Sequence, residues 1–61
     1  MTFSLDFTVL QAKLRCNRLA QKSIAEQIKI QSDSATKLIM VDALLDLIEK
    51  ASGIEQELLA L

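Results

Sequence analysis

The stretch from Ser34 to Ala51 limits what this chain can fold into, because it has the periodicity of a helix but too much apolar surface for a helix with one neighbour. At about 100° per residue, Asp42, Asp46 and Glu49 form one narrow acidic stripe. Leu38, Met40, Val41, Leu44, Leu45, Leu47, Ile48 and Ala51 fill an arc of roughly 180°. A helix packed on a single neighbour needs a stripe of about 100°. Full burial of a Leu, Ile or Val side chain is worth about 1.5 to 3 kcal/mol, so three of them left in water withdraw several kcal/mol from a small domain. Two surfaces must cover this helix, and a second chain is the nearest source of one.

Length sharpens that requirement. A chain of 61 residues makes one domain and buries only about 60% of the surface its unfolded form exposes. Cores of this size rarely supply more than about 3 to 5 kcal/mol, and disulfides, a metal or oligomerisation make up the difference. One cysteine, Cys16, excludes an intrachain disulfide, and the lack of any histidine leaves too few soft ligands for zinc. Oligomerisation remains. Half the residues are hydrophobic, proline is absent and Gly53 is the one glycine, a composition that favours continuous helix over disorder.

The net charge of −1 conceals two opposed halves. Residues 1–32 carry Lys13, Arg15, Arg18, Lys22 and Lys29 against Asp6 and Glu26, a balance of +3. Residues 33–61 carry Lys37 and Lys50 against Asp33, Asp42, Asp46, Glu49, Glu55 and Glu57, a balance of −4. The halves are electrostatic complements, which suits a hairpin or an antiparallel dimer, and the basic half also suits nucleic acid. The longest apolar run, Leu38 to Val41, is far short of the about 20 residues of a membrane span, and the N-terminus lacks the basic start of a signal peptide. The expectation is a soluble, cytoplasmic protein with no membrane partner; a lone thiol fits a reducing compartment.

Along the chain, Thr2 to Val9 alternate polar and apolar with the period of a half-buried strand, so residues 1–8 are read as an extended arm or short strand, with a frayed helix start as the alternative. Such a strand would have to pair with its copy in another subunit. Residues 9–30 form the first helix, with Phe7, Leu10, Leu14, Ala20, Ile24, Ala25 and Ile28 on one side at spacings of three and four, interrupted by Asn17 and Gln21. Val9, Ala12, Cys16 and Leu19 make a second, weaker patch. Arg15, Arg18, Lys22 and Lys29 share an arc of roughly 60° opposite the main patch. Arg18 and Lys22, one turn apart, repel unless something acidic answers them; Asp42, Asp46 and Glu49 are the internal candidates and phosphate the external one. Residues 31–34 are the polar turn, whose Ser32, Asp33 and Ser34 can each cap the next helix. The second helix spans residues 35–52, Gly53 supplies its C-cap, and residues 54–61 add a short helical turn with Ile54, Leu58 and Leu61 on one stripe.

Chemistry is poorly supplied. Without His, Tyr, Trp or a Gly-rich loop, the usual general bases, stacking platforms and phosphate cradles are missing. Cys16 has no imidazole to activate it, and its apolar neighbours make it a small core residue. Asp42 and Asp46, one turn apart, read as a solvated stripe rather than an acid and base pair. No catalytic residue, metal ligand or cofactor site is expected.

One local pattern resembles a known family. Gln21, Ile24, Ala25, Ile28, Ile30, Ala35 and Leu38 fall where the repressor and Cro type of helix-turn-helix domain places its first-helix glutamine, buried alanine and apolar contacts, with Lys29 at the turn position that family gives to glycine. The stretch from Leu44 to Leu59 is similar to the closing helices of such domains, so the resemblance covers about two thirds of the chain. It implies that the second helix of the motif enters the major groove, with Ser32, Asp33, Ser34, Thr36 and Lys37 facing DNA and Arg18 and Lys22 on phosphate. A strand followed by two helices would also resemble the ribbon-helix-helix repressors in layout.

The leading expectation is a mainly α, antiparallel helical hairpin that assembles as a homodimer or small bundle and works as a non-catalytic interaction module, a regulator or adaptor for another protein. Leu38, Val41, Leu45 and Ile48 are expected to face Leu10, Leu14, Ile24 and Ile28 within the hairpin. Met40, Leu44, Leu47 and Ala51 are expected to form the oligomer interface. The alternative is a DNA-binding regulator that uses the segment from Gln21 to Leu38.

Overall fold

Two helices of equal length, α1 (Ser4–Ile30) and α2 (Ser34–Ala60), each of 27 residues, run antiparallel in the computed structural model of the chain. The structure describes residues 4–61, with side chains from Asp6 onward. The hairpin measures 51 × 14 × 10 Å, with a radius of gyration of 14.5 Å, against about 10 Å for a globular chain of this length. It is a rod two helices wide.

The seam between the helices has a seven-residue period on both sides. On α1 Leu10, Leu14, Asn17, Gln21, Ile24 and Ile28 are buried or half-buried, with Ala20 and Ala25 beside them, and on α2 so are Met40, Leu44, Leu47, Ala51, Ile54 and Leu58, with Thr36 near the turn. Both series alternate steps of three and four, the spacing that keeps a seam between two slightly supercoiled helices. Even so, the core is thin. Leu14 and Ala51 are buried, each 8% exposed, and no described side chain is fully enclosed.

The turn is residues 31–33, with Ser34 already in α2 and the cap at Asp33. The Gln31 amide donates to the carbonyls of Gln27 and Ile28 at 3.0 and 3.3 Å, closing α1. Asp33 has extended backbone angles, and its carboxylate accepts from the Thr36 amide at 2.9 Å and the Thr36 hydroxyl at 2.6 Å. The Gln31 side-chain oxygen accepts from the Asp33 amide at 3.1 Å. Three residues therefore reverse the chain with little backbone left unpartnered.

Four expectations need correction. Residues 4–8 are helical rather than extended, since a lone strand has no ladder partner here whereas a helix carries Leu10 onto the seam; residues 1–3 of the expected arm lie outside the described residues. With no strand among the described residues, the ribbon-helix-helix layout falls away. Gly53 does not end α2: the helix runs through it, with no positive φ at any described residue. A glycine in a helix costs only about 1 kcal/mol, which the packing of Ile54 and Leu58 against α1 offsets.

The fourth correction concerns which face is inside. Met40, Leu44, Leu47 and Ala51, expected at an oligomer interface, are the residues that α2 turns toward α1. Leu38, Val41, Leu45 and Ile48, expected inside, are exposed. The inner stripe is the one that stays apolar to the end of the chain, through Ile54 and Leu58, whereas the outer one meets Ser52 and Glu55. The longer stripe buries more apolar area against α1.

Candidate interaction surface

Each edge of the hairpin can be located from one contact. Arg18 Nη2 lies 2.9 Å from Glu55 Oε2, so these two side chains mark one edge. Val41 and Ile48 precede Glu55 by two and one seven-residue steps and therefore lie on that same edge, with Leu38 and Leu45 next to them on the α2 surface. Their exposures are 70% for Leu38, 38% for Val41, 55% for Leu45 and 45% for Ile48. At steps of three, four and three they repeat the seam spacing on a second face of the helix.

Two features flank this stripe. On the α1 side runs the basic strip Arg15, Arg18, Lys22 and Lys29, all exposed. On the far side, the outer surface of α2 carries Asp42, Asp46 and Glu49 around a shallow depression that Ile39, Ala43 and Leu45 also line. Between them sits the apolar band. The face is graded across its width from cation to hydrocarbon to anion.

The expected pairing of these two charged strips within the chain does not occur. Arg18 bonds Glu55, Asp46 takes Lys50 at 3.4 Å along its own helix, and among the described residues Arg15, Lys22, Lys29, Asp42 and Glu49 have no ion pair. The physical reason is the inverted face of α2. With Met40, Leu44 and Leu47 turned inward, the wheel places the acids on the side of α2 away from α1.

The opposite edge is different in character. Val9, Ala12, Cys16 and Ala20 of α1 and Leu47 and Ile54 of α2 floor an open groove of about 620 Å³ rimmed by Lys13 and Lys50. Cys16, expected in the core, is exposed at the groove surface, because the patch to which it belongs faces away from the seam. Lys13 and Lys50 line the same groove, and no described cluster of His, Cys, Asp or Glu has the makings of a metal site.

The residues assigned to DNA by the helix-turn-helix resemblance fall in two places. Ser32, Ser34 and Lys37 are exposed at the turn end of the rod, Thr36 is half-buried and engaged by Asp33, and Arg18 and Lys22 lie on the basic strip of α1. The segment from Gln21 to Leu38 forms the end of α1, the turn and the start of α2, which lie side by side. The exposed stripe of α2 is what the sequence reading missed as a surface; its seven-residue repeat alongside the inner stripe was the available signal. Among the described residues, no helix is long and apolar enough to cross a membrane. No protein-family model matches the chain, and neither the curated proteins nor the solved structures contain a match to it.

Proposed function

We propose that this protein is a non-catalytic helical module that works by association: it assembles with itself through the outer stripe of α2 and in that form serves as a regulator or adaptor for another protein. The observation that supports this most is the exposure of Leu38, Val41, Leu45 and Ile48 at seam spacing on a hairpin whose core, among the described residues, buries Leu14 and Ala51 as its apolar side chains. Complete burial of side chains like these is worth about 1.5 to 3 kcal/mol each, a gain comparable to the entire stability expected of so short a chain. Contiguous apolar surface of this kind marks a contact face.

Sedimentation at tens of micromolar tests the reading, with circular dichroism as the check on folding. The wild type is expected to sediment as a dimer or small bundle, Ile48→Asp as a helical monomer, and Leu44→Asp to lose helix because Leu44 belongs to the inner seam. A wild type that stays a folded monomer throughout would overturn the reading. The DNA-binding alternative rests on the exposed basic strip of α1. An electrophoretic shift with mixed duplex DNA, steeply weakened by salt, would support it, and no shift at low salt would remove it.

A further inference from the structure

Resting on the self-association just proposed, we infer its geometry: the outer stripe of α2 is covered by the same stripe of a second copy, the two α2 helices lying parallel about a two-fold axis that runs along the rod. Two arrangements can bring the stripes face to face around a two-fold axis in the interface plane. If the axis runs across the helices, each strip meets its own kind, cation over cation and acid over acid. If it runs along the helices, left and right exchange, and the acidic side of one α2 lies beside the basic strip of the other copy's α1. Only the second arrangement gives attraction across the graded face, and like charges placed opposite one another are a strong selector against the first.

The register agrees. Asn17 bonds the Leu47 carbonyl and so sets which residues of the two helices stand at one height. Counting equal steps from that bond, Asp42 is level with Lys22, Asp46 with Arg18, and Glu49 with Arg15. A two-fold axis along the rod preserves height, so each acid of one copy meets the level of a cation of the other. Asp42, Glu49, Arg15 and Lys22, which have no ion pair among the described residues, gain partners together. Parallel α2 helices also bring each stripe residue against its own copy, as at the seam of a parallel coiled coil. A stable dimer of standard kind buries on the order of 800 Å² per partner. That is about a sixth of the 4722 Å² surface of this chain, an area one long face of the rod can supply.

Site-directed cross-linking tests the arrangement. Leu38→Cys and Ile48→Cys are each made on a Cys16→Ser background, checked for helicity and sedimentation, and oxidised gently at a concentration where the parent is dimeric. Parallel α2 helices predict a covalent dimer from each variant alone. If neither variant cross-links alone while their mixture does, the helices are antiparallel, and the inference fails with association intact. If the parent sediments as a monomer, both the association and this geometry fail. Charge reversal gives an independent reading: Lys22→Glu is expected to raise the dimer dissociation constant roughly tenfold, and adding Asp42→Lys to the same chain to restore it. An unchanged constant in Lys22→Glu, or no recovery in the double variant, would overturn the charge pairing.

Discussion

The side-chain amide of Asn17 donates a 2.9 Å hydrogen bond to the main-chain carbonyl of Leu47, a polar stitch through the middle of a mainly apolar seam. Gln21 completes it by donating to Asn17 Oδ1 at 2.6 Å, and no buried side-chain polar atom among the described residues is left without a partner. Sliding one helix along the other would strand Asn17 against hydrocarbon. A single polar residue at a seam position fixes register in this way at some cost in stability.

Asn17→Ala is therefore expected to cost about 1 to 3 kcal/mol, because it opens a gap and leaves the Gln21 amide without its acceptor. Asn17→Leu should lie near the wild type or above it, since an apolar side chain of similar size fits the seam. Urea denaturation of the three proteins checks the order. Equal midpoints for Ala and Leu would contradict it.

Gly53→Ala should raise stability by about 1 kcal/mol, read as an increase of roughly 4 to 8 °C in the melting midpoint. Gly53 lies within α2, and a methyl group built on it meets nothing within 4 Å. The substitution removes backbone freedom from the unfolded chain with no new clash. A lowered midpoint would mean that this stretch of α2 is not continuous helix in solution.

Asp33 gives the turn a pH dependence. The Thr36 hydroxyl, and then the Thr36 amide, hold its carboxyl below the usual 3.8. A depressed native value means that the unfolded chain binds the proton more readily, so the contribution is complete above the usual value and disappears as pH falls through the native one. The melting midpoint of the wild type should exceed that of Asp33→Ala at about pH 6, and the gap should narrow at about pH 2.5. A constant gap would show that charge plays no part in the cap.

Arg18 and Glu55 are expected to matter little to stability, although their contact is a close one. Both side chains are more than half exposed, and pairs of this kind contribute about 0 to 1 kcal/mol. A double-mutant cycle with alanine at both positions should return a coupling within that range, shrinking further in high salt. A larger coupling would place the pair in a drier setting than the hairpin provides.

The hairpin, the position of its turn and the first helix's inner face were legible because Gln31 to Ser34 is the polar interruption between two helical patterns and because Leu10, Leu14, Ile24 and Ile28 have no rival on α1. The inner face of α2 was not. Its apolar arc contains two interleaved stripes of the same period, Met40, Leu44, Leu47 and Ala51 beside Leu38, Val41, Leu45 and Ile48, and within residues 35–52 the second is the more hydrophobic in kind. What decides between them lies beyond Gly53, where Ile54 and Leu58 extend the first. Ending the helix at Gly53 hid that continuation. The alternation of residues 2–9 misled for a related reason, since a two-residue period over eight positions also places Phe7 and Leu10 three apart, on one side of a helix.

The three residues between the helices also stand between two architectures. Gln31, Ser32 and Asp33 all lie outside helix, and Asp33, with φ −83° and ψ 119°, has extended backbone. Were all three to take helical backbone angles, α1 and α2 would fuse into one continuous helix of about 57 residues, roughly 85 Å long, whose seam stripe could be satisfied only by exchanging arms with another molecule. The capped turn thus guards the chain against domain swapping, by keeping each seam a private matter of its own polypeptide.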